Sequence, residues 1–149
     1  MNFDRADAIN QAVRRLSLRH RARVGELLAP LGLYPGQEAL LLELAASGPM
    51  IQAKLSTALG CEPPSVTQMS RKLEASGHVR RRPAKDDKRA TVVELTDHGV
   101  ALTAQIRQLW VALAEETVAG LPAATVAQLP DVLNGLAENV RRAERSGER

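Results

Sequence analysis

The feature that most constrains the fold is a change of hydrophobic period in the middle of the chain. Residues 52–59 and 62–76 have the spacing of two short helices, whereas 78–82 and 91–95 have the spacing of two short strands. A polar, charged loop at 83–90 joins the two strands. Two helices joined by a tight turn and followed by a charged hairpin predict a winged helix-turn-helix.

Longer helical patterns flank this segment on both sides. We expect helices over about 4–29, from Pro35 to Gly48, from the N-cap Thr96 to about 120, and over 123–143. Pro130 lies inside the last pattern and is expected to kink or divide that helix. The apolar stripe of the first helix exceeds what its own small domain needs, so partner helices are expected. The predicted fold class is therefore mainly α with a small β-hairpin wing (α+β), together with helices that pair with a partner.

Composition restricts the compartment and the class of protein. Of the 149 residues, 44% are hydrophobic and 25% are charged, a normal globular balance. The single Cys61 excludes an internal disulfide, and residues 1–4 lack a basic-then-apolar leader, so we expect a cytoplasmic protein. No apolar run is long enough to cross a bilayer, so no membrane association is expected.

Positive charge is concentrated in one segment. Residues 71–89 contain eight Lys/Arg and three Asp/Glu and carry +5, whereas the other residues carry −2. A local cationic surface on such a fold indicates an anionic partner, with double-stranded DNA the leading candidate. The chain has only three aromatic residues, too few for the stacking platforms of single-strand and RNA readers.

Candidate DNA-contacting side chains lie on the proline-opened helix and on the hairpin. Polar groups on the outer face of that helix can meet base edges in a major groove, and basic groups can also meet phosphates. A hairpin tip can reach a neighbouring minor groove, which attracts arginine. Three consecutive strand residues cannot all face one way, so some of Arg80, Arg81 and Arg82 are expected to pair with acids or solvent. The candidates are Pro64, Ser65, Thr67, Gln68, Arg71, Lys72, Arg81, Asp87, Lys88 and Arg89.

These residues resemble the MarR-type (multiple antibiotic resistance regulator) transcription factors. The resemblance covers essentially the whole chain, and its most specific part, residues 55–99, reads LSTALGCEPPSVTQMSRKLEASGHVRRRPAKDDKRATVVELTDHG. Arg89 matches the family's wing arginine, and Asp87 matches the acid that orients it. The consecutive prolines Pro63 and Pro64, and Pro130 in the last helix, depart from the family's pattern.

The resemblance implies a homodimer whose first, fifth and sixth helices intertwine. Residues 1–34 and 97–149 would form the helical dimerisation region, and residues 35–96 the winged DNA-binding lobe. Small anionic or phenolic effectors bind such proteins between these regions and release DNA. We therefore take Arg15, His20 and Trp110 as candidate effector-binding residues, although a solvated face explains Arg15 and ordinary packing explains His20 and Trp110.

Other chemistry has little support. Cys61 lies next to the proline-opened helix and is interpreted as structural. The three histidines and Cys61 are scattered without ligand spacing, so no metal or cofactor is expected. The sequence has no phosphate loop, nucleophile elbow or HExxH motif, so we do not expect an enzyme.

The sequence thus predicts a ligand-responsive, dimeric transcriptional regulator, a repressor that binds pseudo-palindromic duplex DNA and is released by a small effector. Two alternatives remain open at this point. The first is a nonspecific architectural DNA-binding protein, although the basic charge is confined to one lobe. The second is a protein-interaction module that has lost DNA binding.

Overall fold

The computed structural model describes residues 1–147, and it has the mainly helical fold with a small antiparallel sheet that the sequence predicts. A 3-10 turn at Ala29–Leu31 follows the first helix. The elements in chain order are α1 (Phe3–Leu28), α2 (Gln37–Ser47), β1 (Met50–Ile51), α3 (Gln52–Leu59), α4 (Pro63–Ala75), β2 (Val79–Pro83), β3 (Thr91–Leu95), α5 (Asp97–Val118) and α6 (Ala123–Gly147).

The second helix begins two residues later than the sequence predicts. Gly36 has a φ of 105°, which a helical residue cannot adopt, so Pro35 belongs to a turn and not to the first turn of α2. The side chains that follow satisfy the N–H groups of this turn. Gln37 Oε1 accepts from Tyr34 N–H at 2.9 Å, and Glu38 Oε2 accepts from Gly36 N–H at 2.6 Å. Both side chains are buried as a result.

The sheet contains a third strand that the sequence analysis missed. β1 and β2 both pair antiparallel with β3, so the order is β1-β3-β2 and the hairpin strand β3 is central. β1 has only two residues, too few for a period-2 pattern to be recognised. Its pairing of Ile51 with Val92 fixes the start of α3 against the wing.

The core of the winged part is aliphatic. α2 contributes Leu40, Leu41 and Leu44, as expected of a helix that is apolar on most of its circumference. Residues from the neighbouring helices and strands complete this core, namely Leu28, Leu55, Val66, Leu73, Val79, Val93, Leu102 and Ile106. Val100, by contrast, lies on the outer side of α5 and is 55% exposed.

The junction between the sheet and α5 is closed by Thr96, which caps the helix as predicted. Its hydroxyl accepts from the N–H of Gly99 at 3.1 Å and also donates to the Gly77 carbonyl. A Cβ on Gly99 would collide with the carbonyl of His78, so this helix can approach the strand only with a glycine at position 99. The close approach of Gly99 to the His78 carbonyl therefore fixes the position of the first turn of α5 relative to the sheet.

The chain forms two compact units, residues 1–110 and the residues from Val111 onward. In the first unit, α1 buries only Val24 and Leu28 near its end. In the second, α6 runs through Pro130 as one helix, so the predicted division there is wrong. α6 continues to Gly147, and the last two residues lie outside the described part.

Membrane-spanning potential was tested on the described residues alone. No single helix among them is long and apolar enough to cross a bilayer, and one bent pair, Asp97–Val118 with Ala123–Arg145, meets the criteria by length and composition only.

Candidate nucleic-acid interface

Helix α4 has one buried face and one exposed polar face. Val66, Ser70 and Leu73 are at most 1% exposed and anchor the helix. The consecutive prolines occupy its first two positions after the N-cap Glu62, as the sequence predicts. Five of the candidate DNA-contacting residues are exposed on this helix, namely Pro64, Ser65, Gln68, Arg71 and Lys72.

Thr67 lies at the edge of this face and is turned toward the protein. Its hydroxyl donates to the Pro63 carbonyl at 3.1 Å and accepts from the Gln52 side-chain amide at 3.2 Å. Because both interactions hold the hydroxyl, its methyl group and backbone are the parts most available to a partner. Sequence reasoning singled out Thr67 but not Gln52, since their contact joins residues 15 positions apart.

Lys72 is held above an aromatic ring. Its Nζ lies 5.4 Å from the centre of the Tyr34 ring, within the range of a cation–π interaction. Tyr34 is 68% exposed, so the pair lies at the surface. The interaction restricts where the ammonium can go, and the sequence contained no signal for it because Tyr34 lies in a turn far along the chain.

The wing tip presents an exposed arginine. The Arg89 side chain is 94% exposed, and its Nε lies 3.3 Å from Asp87 Oδ1. The same oxygen accepts from the Arg89 backbone N–H at 3.0 Å. Lys88 is also exposed beside it. Asp87, Lys88 and Arg89 therefore lie together at the tip of the loop between β2 and β3.

The three strand arginines separate onto two faces, as strand alternation requires. Arg80 and Arg82 both contact Glu94 on β3, at 3.1 and 3.5 Å. Arg81 lies on the opposite face, 19% exposed, where its Nη1 is 3.6 Å from Glu74 Oε2. The phosphate contact suggested for Arg81 remains a prediction, and Arg81 is the most enclosed of the three.

A separate cavity of about 310 Å³ lies within the first compact unit. Its lining includes His20 and Trp110, two of the three candidate effector-binding residues, together with Arg21, Glu38 and Cys61. Arg15 does not line it and is solvent-exposed. Among residues 1–147, no three His, Cys, Asp or Glu side chains cluster in a way that could hold a metal ion.

Part of the chain matches a known family. Residues 33–91 match the model of the MarR family. A crystal structure of a cysteine-to-serine mutant of Escherichia coli MarR, complexed with operator DNA, matches with a TM-score of 0.80 and 26% identity. That match covers 91% of this chain and 98% of the MarR chain. The chain is therefore similar to MarR-family regulators, in the sequence of residues 33–91 and in fold.

Two further proteins resemble the chain. The helix-turn-helix transcriptional regulator YwoH of Bacillus subtilis, described as uncharacterised, is 39% identical over 88 residues, or 59% of this chain and 61% of YwoH. The Bordetella bronchiseptica protein BpsR, whose DNA binding is regulated by 6-hydroxynicotinic acid, matches in fold with a TM-score of 0.79, 21% identity and coverage of 87% and 98%. The chain spans about 60% of the length of the curated relatives that it matches.

Proposed function

We propose that this protein is a MarR-family regulator, a homodimeric transcriptional repressor that binds pseudo-palindromic duplex DNA and is released by a small effector. The observation that carries the proposal is the fully presented Arg89 at the wing tip, in the same compact unit as the exposed polar face of α4. The role is regulatory and not enzymatic, in keeping with the transcription regulators to which the chain is similar.

In this proposal α4 is the recognition helix. Ser65, Gln68 and Arg71 meet base edges in the major groove, because hydroxyl, amide and guanidinium groups can donate to or accept from them. Arg89 enters the adjacent minor groove, and Lys72 and Lys88 contribute attraction to phosphates. The net charge of +5 over residues 71–89 supports this assignment.

Exposed apolar stripes support the homodimer. On α1 Ile9, Val13 and Leu16 are 44–50% exposed at helical spacing, and on α6 Leu133, Leu136 and Val140 are 46–61% exposed at the same kind of spacing. Aliphatic stripes of this regularity are stabilised by burial against partner helices. A second copy of the chain would present a second recognition helix about 10 bp away, one turn of the duplex.

The effector is proposed to be a small aromatic anion that binds in the cavity lined by His20 and Trp110. The indole ring supplies an apolar face, and His20 with the neighbouring Arg21 supplies groups that attract a carboxylate or phenolate. BpsR offers a precedent, since 6-hydroxynicotinic acid is an aromatic acid. Arg15 lies outside this cavity and is not part of the proposed site.

Selection of genomic DNA fragments by the purified protein, followed by sequencing at near-physiological salt, tests the proposal. Recovery of a short pseudo-palindrome near promoters is the expected result, and increased transcription from those promoters after gene deletion would support repression. Recovery of fragments without a common motif would instead favour an architectural protein. No recovery from protein washed free of small molecules would favour an interaction module.

A further inference from the structure

We propose that Gln52 is a positioning residue that fixes the recognition helix relative to the wing and thereby sets operator specificity. The inference rests on the proposed function, because it concerns how the two parts of the same DNA-contacting surface are held. Gln52 is the first residue of α3 and directly follows β1.

One side-chain amide joins three elements. Gln52 Nε2 donates to Thr67 Oγ1 on α4 at 3.2 Å. Gln52 Oε1 accepts from Ser70 Oγ on α4 and from Arg81 Nε on β2, both at 3.1 Å. These partners lie 15, 18 and 29 residues along the chain, so no local structure brings them together.

The direction of these hydrogen bonds leaves one orientation for the amide. Arg81 Nε can only donate a hydrogen bond, so the Gln52 atom that faces it must be the carbonyl oxygen. Thr67 gives its own proton to the Pro63 carbonyl, so its oxygen accepts from Gln52 Nε2. A flipped amide would set donor against donor at Arg81. The cluster is therefore directional, and it links the second turn of α4 to β2.

The cluster connects the two parts that must match the DNA. Thr67 precedes Gln68 on the recognition helix, and Arg81 lies on the strand that leads into the wing loop. Ile51, the residue before Gln52, pairs with Val92 in the sheet. This pairing fixes the backbone from which the Gln52 side chain extends. Base-edge contacts need exact hydrogen-bond geometry, whereas phosphate attraction acts over several ångströms. Loosening the cluster should therefore reduce specificity more than overall attraction.

The first experiment removes the three hydrogen bonds while keeping side-chain length. In Gln52→Met, we expect the ratio of affinities for the selected operator and a scrambled duplex to fall about tenfold, comparable to losing one base-reading contact. The dependence of affinity on salt should stay unchanged, because no cation is removed. Ser47→Ala, which removes an exposed side-chain hydrogen bond to Glu43 at the end of α2, outside the proposed DNA surface and the dimerisation region, should keep the parental ratio. An unchanged ratio in a folded Gln52→Met protein would overturn the proposal.

A second variant keeps the test decisive if Gln52→Met does not fold. Gln52→Glu retains oxygen acceptors for Arg81 and Ser70 but has no N–H for Thr67, so we expect a smaller loss, about threefold. Full retention of the operator preference in Gln52→Glu, alongside an unfolded Gln52→Met, would mean that the amide supports folding alone, and would contradict the positioning role.

A measurement without DNA separates this inference from the proposed function. Spin labels at Ala75→Cys on α4 and Lys85→Cys beside the wing, in a Cys61→Ser background, report the helix-to-wing distance by dipolar spectroscopy. With the labelled chain diluted in an excess of unlabelled parent protein, so that each homodimer carries at most one labelled copy, we expect one narrow distribution with Gln52 and a broader or shifted one with Gln52→Met. Identical distributions would overturn the positioning role. Failure of the parent protein to bind any duplex would count against the proposed function only, since this distance is measured in its absence.

Discussion

The carboxylate of Asp87 holds Arg89 at two points, accepting from its backbone N–H at 3.0 Å and from its Nε at 3.3 Å. The Ala90 N–H donates to the Asp87 carbonyl at 2.9 Å, so the same residue also closes the turn at the wing tip. An ion pair this exposed contributes little to stability. The ion pair instead orients the side chain, which is 94% exposed: the guanidinium is held at Nε, while its two outer nitrogens stay available.

Arg89→Ala should weaken operator binding by about 1–3 kcal/mol, because it removes the group proposed to enter the minor groove. Fluorescence anisotropy with labelled duplex measures the change. Asp87→Ala should weaken binding less, since the cation remains but its orientation is lost. Arg107→Ala, which removes one exposed positive charge on α5, serves as the control and should bind like the parent. Equal affinity in Arg89→Ala and Arg107→Ala would contradict the wing assignment.

Tyr34→Leu should weaken DNA binding through Lys72, whereas Tyr34→Phe should not, because phenylalanine retains the ring face under the ammonium. Lys72→Ala should reduce the salt slope of log affinity by about one, as expected for a lost phosphate contact. Titrations at four salt concentrations provide both quantities. If Tyr34→Leu has no effect while Lys72→Ala does, the ring does not position the lysine.

Gly99→Ala should destabilise the fold by about 1–3 kcal/mol, because the added methyl group collides with the His78 carbonyl where α5 meets the sheet. Gly135→Ala should do the opposite and stabilise α6 by about 0.5–1 kcal/mol, since its Cβ would enter open space in a helix. Urea unfolding followed by circular dichroism compares the two. A neutral Gly99→Ala would mean that α5 can move away from the strand at no cost.

Trp110 is the only tryptophan, so its fluorescence reports directly on the proposed effector cavity. We expect 4-hydroxybenzoate or 6-hydroxynicotinic acid to change the emission saturably and to release DNA over the same concentration range. His20→Ala should weaken this response, while Arg15→Ala should not, because Arg15 does not line the cavity. An equal loss in both variants would place the effector elsewhere.

Arg141 donates two hydrogen bonds of 2.7 Å to Glu138 and thereby lowers the pKa of this carboxyl below its ordinary 4.5. A lowered folded-state pKa means that the contribution to stability is present above pH 4.5 and is lost as the pH falls through the lowered value. Titration of the Glu138 carboxyl carbon by NMR should show this shift, and Arg141→Gln should return the pKa toward 4.5. The same midpoint in both proteins would contradict the pairing.

Elements with a long or regular pattern were predictable. The proline-opened helix α4, the strand at Thr91–Leu95 and the Thr96 cap all follow from local chemistry, because prolines, β-branched residues and cap hydroxyls act within a few residues. The predicted start of α2 was wrong, and the reason is visible only in the packing of the folded chain. Proline at 35 suits a helix, but Gly36 takes a positive φ, with Met69 only 3.3 Å from where its Cβ would lie.

Sequence reasoning alone yields the order of the helices and the hairpin, the concentration of positive charge in one segment and the resemblance to MarR-type regulators, since these depend on period, composition and short motifs. The degree of exposure of each cation depends on the tertiary structure. Arg80 and Arg82 meet Glu94 across the sheet, and Arg81 turns inward to Gln52 and Glu74, whereas Arg89 extends into solvent. Alternation along a strand predicts the face of each arginine. The partner on that face depends on strand register and on residues distant in the chain, which no local pattern specifies.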